Sequence, residues 1–230
     1  VQNAMFAAAM AYAMGKSLEN IRHGLLTFNT TFFQAPGRMN VFDEHPFKVI
    51  LDYAHNPAAI GAMCQLSDRL DVAGRRVCVI SSPGDRRDED VSALASAAAG
   101  HFDHYICKAD DNRRGRGDVE IPEMIRNQLI AEGVDKSAVE VIADEKASVA
   151  HALEFCDAGD LLVVFGDDIT RCWKQIIHFK TDGSGREIES QKEDSKEDTE
   201  VVEHFELADG QSLIRDERGV RIAKTEEGDD

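Results

Sequence analysis

The run Val49-Ile50-Leu51-Asp52-Tyr53-Ala54-His55-Asn56-Pro57 constrains this chain more than any other. Three apolar residues feed straight into a polar cluster, and Pro57 then opens a stretch, Ala58 to Leu70, with helical patterning. A buried strand ends there against a helix start, with Asp52, His55 and Asn56 at its carboxyl end. In open α/β sheets that edge is where ligands bind. Shortly upstream, Pro36-Gly37-Arg38-Met39-Asn40 reads as a turn that presents an arginine.

The rest of the chain repeats the strand-then-helix theme. Strands are expected at Lys48–Tyr53, Arg76–Ser81, His104–Lys108, Val139–Ile142 and Asp160–Phe165. Helices are expected at Pro57–Leu70, Asp88–Gly100, Ile121–Glu132, Glu145–Cys156 and Ile169–Phe179. Short, mostly apolar strands alternating with helices imply an α/β fold with a mostly parallel sheet covered by helices on both faces. The order of the strands is not readable from this pattern. Ahead of it lie two helices, Gln2 to Met14 with Gly15 as its C-cap and a second one capped by Ser17, too few to form a domain alone.

Charge divides the chain. Of 230 residues with a net charge of −17, those from Thr181 onward hold 17 acidic against 7 basic side chains. The run Gln191-Lys192-Glu193-Asp194-Ser195-Lys196-Glu197-Asp198 has no apolar residue and reads as disordered. Val201 to Ala223 differs: short apolar runs separated by Ala208-Asp209-Gly210 and Glu217-Arg218-Gly219 suggest one or two hairpins. The organisation expected is a helical piece over 1–34, an α/β domain over 35–180 and an acidic tail over 181–230. So acidic a chain is a poor binder of nucleic acid or of anionic membrane. No apolar run approaches the roughly 18 residues of a membrane span, and signal-peptide features are absent. Five scattered cysteines without metal-ligand spacing, Cys78 and Cys107 within apolar strands, read as buried thiols in a reducing cytosol.

Four polar clusters stand at or near strand ends. Asp52 alone is a helix cap or an ion-pair partner as readily as a ligand group. Beside Arg38 it gains a second reading, because a carboxylate accepts from two ribose hydroxyls while a guanidinium fork reaches ribose or phosphate. His55 and Asn56 could equally form a helix-start hydrogen-bond network. The second cluster is Pro83-Gly84-Asp85-Arg86-Arg87-Asp88, where Gly84 permits a tight turn and Asp88 can cap the next helix. The third, Asp110-Asp111-Asn112-Arg113-Arg114-Gly115-Arg116, is a mixed-charge loop of a kind usually just solvated. The fourth, Gly166-Asp167-Asp168-Ile169-Thr170-Arg171, is either a helix cap or a pocket wall.

Taken in order, Pro-Gly-Arg-Met, Asp-Tyr-Ala-His-Asn-Pro, Pro-Gly-Asp-Arg-Arg-Asp-Glu-Asp, Asp-Asp-Asn-Arg-Arg-Gly-Arg and Gly-Asp-Asp-Ile-Thr-Arg resemble the carboxyl-terminal domain of the Mur ligase superfamily. Within it they look most like the cyanophycin synthetase family, and the resemblance spans roughly residues 1–180. It implies a Rossmann-like sheet and an ATP-dependent acid–amino-acid ligase. In that family a Mur-like half joins arginine to the aspartate side chains of a poly-aspartate backbone through an acyl phosphate. The resemblance implies ATP contacts from Arg38, Asp52, His55 and Asn56. It implies substrate contacts from Asp85, Arg86, Asp111, Asn112, Arg114 and Arg116, with Arg114 on the carboxylate-binding arginine of an Asp-Asn-Pro-Arg segment, although arginine here replaces the proline. No catalytic residue is assigned with certainty. Implied partners are ATP with Mg2+, arginine and a poly-aspartate or cyanophycin chain, in a cytoplasmic homo-oligomer.

The Gly-x-x-x-x-Gly-Lys-Ser/Thr phosphate loop is missing from the sequence. Mur ligases carry it in a central domain, with the Mg2+ ligands expected mostly there, and residues 1–34 resemble that domain's last helices. The chain therefore reads as a fragment, or as a truncated gene product, inactive alone. Two alternatives remain open here: another Mur-type ligase similar to folylpolyglutamate synthase, or a non-catalytic ligand-binding remnant.

Overall fold

The computed structural model describes residues 2–28, 30–182, 186–187, 206–207, 211–216 and 219–224. A six-stranded sheet organises the chain: β1 (Asn40–Phe42), β2 (Lys48–Asp52), β3 (Arg76–Ile80), β4 (His104–Cys107), β5 (Val139–Val141) and β6 (Leu161–Phe165). Its order is β1-β2-β6-β3-β4-β5. Every neighbouring pair runs parallel except β1 with β2, where Asn40 stands opposite Leu51 and Phe42 opposite Val49. The fold is thus the helix-covered, mostly parallel sheet expected. The three residues of β1 are an addition that no apolar alternation announced.

Alternation along the strands decides which helices cover which face. Ile50, Cys78, Ile80, Tyr105, Cys107, Leu161, Val163 and Phe165 point to one side. There they pack on α3 (Pro57–Arg69), α4 (Asp88–Ala98) and α5 (Glu120–Ala131) through Ile60, Leu94 and Ile125. Val49, Leu51, Val77, Val79, Ile106, Leu162 and Val164 point to the other, against α6 (Glu145–Phe155) and α7 (Ile169–His178) through Val149, Leu153, Cys172 and Ile176. Burial on both faces accounts for strands that read as unbroken apolar runs. All five cysteines are free and buried, as expected for Cys78 and Cys107.

The connections place β2, β3, β4 and β5 successively across the sheet, and β6 then returns to fill the gap between β2 and β3. This return makes the carboxyl end of β6 central. The cluster after Phe165 sits between the Asp52 cluster and the Ser81–Asp88 cluster, not at the far end of the row.

Helices α1 (Gln2–Ala13) and α2 (Leu18–Thr27) precede the sheet. Ser17 caps α2 by accepting a hydrogen bond from the Asn20 backbone. The pair leaves Met5, Phe6, Met10, Leu18, Leu26 and Phe28 exposed, Phe6 at 69%. A groove of about 630 Å³ between the two is lined by Ala4, Ala7, Ala8, Ala11, Ile21 and Leu25. Further along, Gln211–Asp216 and Gly219–Lys224 pair antiparallel, and Glu206–Leu207 joins the first of them. The acidic run 191–198 lies outside the described residues. Among those residues no helix is long and apolar enough to cross a membrane.

Candidate active site

The carboxyl edge of the sheet carries the four polar clusters in the spatial order β2, β6, β3, β4. At β2, Asp52 is locked to the arginine turn. Its Oδ2 accepts a 2.8 Å hydrogen bond from the Met39 backbone, and the Tyr53 backbone N–H donates to the Gly37 carbonyl at 2.8 Å. Buried Asn40 completes the lock. Its Oδ1 accepts from the Gly37 N–H at 2.7 Å, and its Nδ2 donates to the carbonyls of Thr30 and Ala35. Gly37 has a φ of +67°, and a Cβ there would lie 2.9 Å from Ile169 Cγ1, so this position has room for glycine only. Met39 adopts a left-handed φ of 51°, uncommon for a side chain with a Cβ.

Arg38 remains exposed, its guanidinium 5.7 Å from the centre of the Tyr53 ring. Burial pushes the Asp52 carboxyl above the ordinary carboxylate range, and hydrogen bonds from Met39 and Ala54 with the charge of Arg38 only partly oppose it. Asn56 caps α3 by accepting from the Ala59 N–H at 3.0 Å, and His55 Nδ1 lies 2.8 Å from the Tyr53 carbonyl. Their local structural roles are therefore plain, while both stay on the same edge as Asp52 and Arg38.

The loops after β3 and β4 are clasped together. Gly84 has no left-handed φ, and its side-chain-less face lies against the next loop: a Cβ would fall 2.2 Å from the Arg113 carbonyl oxygen. The glycine is thus required by close backbone approach more than by its turn. Arg116, 19% exposed, is the clasp. It donates to the carbonyls of Gly84 at 2.9 Å and Arg86 at 2.7 Å, and it pairs with Asp88 and Glu120, each at 2.7 Å. Asp88 does not cap α4. Arg87 occupies the cap position without a side-chain capping bond, and Asp88 lies in the first turn, engaged by Arg116.

Arg114 pairs with Asp85, and its backbone N–H donates to Asn112 Oδ1 at 3.1 Å. Its φ of 50° is the second left-handed non-glycine conformation of the chain's described residues. That pairing holds Asp85 below the ordinary carboxylate range. Asp111 is held by Arg171 at 2.6 Å, and its backbone N–H donates to Asp167 at 3.1 Å. The six residues expected to meet substrate therefore lie on two touching loops, and Asp85, Asp111, Asn112, Arg114 and Arg116 already bond one another or the neighbouring strand ends.

Two residues that sequence reasoning missed sit beneath them. Lys108 and Glu145 are buried and meet at 2.8 Å. A lysine at the end of an apolar strand was the available signal for the first. Glu145, at a helix start behind Asp144, carried none.

The glutamate ligase domain of Mur ligases matches residues 37–167. Cyanophycin synthetase of Crocosphaera subtropica is 38% identical over 171 residues, covering 74% of this chain and 19% of that protein. The Geminocystis herdmanii protein of the same name is 39% identical, over 78% of this chain and 20% of its own length. The UDP-N-acetylmuramoyl-L-alanyl-D-glutamate--2,6-diaminopimelate ligase of Aquifex aeolicus is 30% identical over 69% of this chain. The chain thus spans about a fifth of the cyanophycin synthetases it matches. In fold it resembles E. coli FolC in complex with DHPP and ADP, at a TM-score of 0.58 and 24% identity over 76% of this chain and 38% of that one.

Proposed function

The chain belongs to the Mur ligase family, and on that premise we propose that it is the carboxyl-terminal portion of an ATP-dependent amide-bond ligase that adds arginine to aspartate side chains of a poly-aspartate backbone. In such a reaction a carboxylate is phosphorylated and an incoming amine displaces phosphate, so placement and cationic stabilisation carry most of the catalysis. The observation that carries the reading is the order of the clusters along one edge. A ribose-suited pair at β2 is followed by β6, and then by two clasped loops rich in both charge signs at β3 and β4.

Asp52 and Arg38 fit ATP: a half-buried carboxylate beside an exposed guanidinium, on a turn held rigid by Asn40. When bound, ATP supplies the phosphoryl group. These residues would hold and orient its ribose, with His55 and Asn56 alongside. Arginine needs a cation for its α-carboxylate and carboxylates for its guanidinium. Arg114 and Asp85 offer one of each once their mutual pair opens, and Arg86, Asp111, Asn112 and Arg116 lie on the same two loops. Mg2+ would be held mainly upstream. Among the described residues no group of three or more His, Cys, Asp or Glu side chains is arranged for a metal.

Residues 1–34 would be the end of a preceding nucleotide-hydrolysing domain, which would cover the exposed apolar side chains of α1 and α2. Residues 35–180 would form the ligase carboxyl-terminal domain, and 181–230 an acidic appendage. The setting would be a cytoplasmic homo-oligomer.

Phosphate release by the full-length enzyme, measured with a poly-aspartate primer, tests the reading. Release driven by arginine and not by glutamate is expected. Release driven by glutamate on a folate-type acceptor would reassign the chain to the folylpolyglutamate class, and none with any amino acid would leave a binding remnant.

A further inference from the structure

Underneath the Asp110–Arg116 loop lies a chain of charges whose inner pair, Lys108 and Glu145, is shut off from water and whose outer end, Arg171 and Asp111, is partly exposed. Lys108 Nζ donates to Ser81 Oγ at 2.9 Å and to Glu145 Oε1 at 2.8 Å, with Asp110 Oδ1 at 3.6 Å. Glu145 also accepts from the backbone N–H groups of Asp167 at 2.6 Å and Asp168 at 3.1 Å, and from the Arg171 guanidinium. Arg171 reaches on to Asp111 Oδ2 at 2.6 Å. Ser81 closes the circuit by donating to Asp110 Oδ1 at 2.7 Å. Three strand ends and two helix starts therefore converge on Asp110 and Asp111, the first two residues of the loop.

Packing alone does not require this. A fully buried ion pair is often no better for stability than apolar side chains of equal volume, because desolvating two charges offsets their attraction. What the charges supply that a leucine pair would not is direction. Two donors of Lys108 and both oxygens of Glu145 are committed to named atoms, so the loop's root is directionally held. The loop above needs such a root. It carries Arg114 in a left-handed conformation, and it touches Gly84 backbone to backbone. Strained geometry of that kind persists only where its surroundings over-determine it.

We propose that Lys108 and Glu145, both buried, and the half-buried Arg171 form a strut whose function is to position the Asp110–Arg116 loop for the incoming amino acid. This rests on the ligase reading given above. The three are positioning residues: they act through Asp110 and Asp111 and are not assigned any contact with substrate. Their removal should change how the amino acid is held while leaving ATP, bound from the β2 end, unaffected.

Two measurements decide it. In the 230-residue chain, amide hydrogen exchange is compared between wild type and Lys108→Met. Exchange at 110–118 is expected to rise at least tenfold, with residues 37–56 unchanged. In the full-length ligase, Lys108→Met is expected to raise KM for the amino acid at least tenfold and to leave KM for ATP within twofold. Glu145→Gln keeps the side-chain shape but only one acceptor oxygen, enough for one of the two backbone N–H groups, and its amino-acid KM should fall between those of wild type and Lys108→Met. Normal amino-acid KM in a folded Lys108→Met or Glu145→Gln enzyme, or a parallel rise in the KM for ATP, overturns the positioning role. Unchanged exchange at 110–118 overturns the strut. A wild-type enzyme that releases no phosphate with any amino acid overturns the ligase reading and the amino-acid half of the proposal, while the exchange result still decides the strut.

Discussion

The Oδ2 atom of Asp52 accepts a 2.8 Å hydrogen bond from the backbone of Met39, so the end of β2 and the turn that presents Arg38 move as one body. Arg38→Ala and Asp52→Ala should therefore differ. The first removes a surface guanidinium and should weaken ATP use alone. The second removes a charged acceptor, worth roughly 1.5–3 kcal/mol or about ten- to a hundredfold, and also frees the turn. In the full-length enzyme KM for ATP should rise in both, with a lowered melting temperature only in Asp52→Ala. Because burial raises the Asp52 carboxyl, its protonation begins above the usual carboxylate range, and KM for ATP should climb as pH falls through that region. Unchanged ATP kinetics in both variants would remove the ribose assignment.

Gly84→Ala tests the close approach of the two loops. The added Cβ would meet the Arg113 carbonyl oxygen at 2.2 Å, a backbone atom that can yield only if the loop moves. A cost of about 1–3 kcal/mol is expected, readable as a shifted denaturation midpoint. The KM for the amino acid should rise with it. An alanine variant as stable and active as wild type would mean that the loops are not held at this separation.

Arg116 and Arg114 should separate clasp from contact. Arg116 bonds two carbonyls and two carboxylates across the loops, so Arg116→Ala should lower the melting temperature by several degrees and raise amino-acid KM. Arg114 bonds a single exposed carboxylate, Asp85, so Arg114→Ala should leave the melting temperature within a degree or two. Its effect should appear in kcat/KM for arginine, a loss of roughly 2–4 kcal/mol where a bound carboxylate loses its partner. Equal melting losses in the two variants would contradict the division.

Much of this architecture is legible in the sequence. Five strands and five helices fall within about two residues of their expected bounds, because apolar runs closed by Asp, Ser, Asn or Pro carry both period and punctuation. The positions of Arg38, Asp52 and the loop arginines on one edge follow from the same punctuation. What stayed hidden was non-local. That β6 inserts between β2 and β3 depends on which faces bury each other, not on any local residue. Antiparallel β1 is too short to show alternation. Lys108 and Glu145 are polar residues whose burial is decided by partners far along the chain, 37 residues away for that pair. Gly84 does lie in a turn, as its sequence context suggests, but the distant Arg113 carbonyl that leaves no room for a Cβ has no local signal.

Buried thiols provide a simple check of the core. Burial pushes Cys64, Cys107 and Cys156 each up to about 12, so almost none is thiolate at neutral pH. Iodoacetamide should leave all five cysteines unmodified in the folded chain and alkylate all five in denaturant. Rapid labelling of Cys78 or Cys107 under native conditions would mean that the sheet opens.

Glu145 should dominate the acid limb of stability. Burial alone would raise its carboxyl, but the Lys108 ammonium with its hydrogen bond, the Asp167 N–H and Arg171 together outweigh burial and bring it down to about 2 from an ordinary 4.5. A folded-state value below the unfolded one means that ionised Glu145 favours the fold above about pH 4.5. The contribution, about 3 kcal/mol, is then lost as pH falls towards 2. Asp52 and Asp167, both raised by burial, act in the opposite sense, so they soften the wild-type decline without reversing the sign for Glu145. Glu145→Gln leaves the Lys108 charge buried without its counter-charge and should be less stable by about 3–5 kcal/mol at pH 7. The informative quantity is the gap between the two proteins in denaturant unfolding. It should be constant from pH 7 to about 5 and narrow steadily from there towards pH 2. A gap that stays constant across that range would show that the Lys108–Glu145 pair is held by packing and not by its charge.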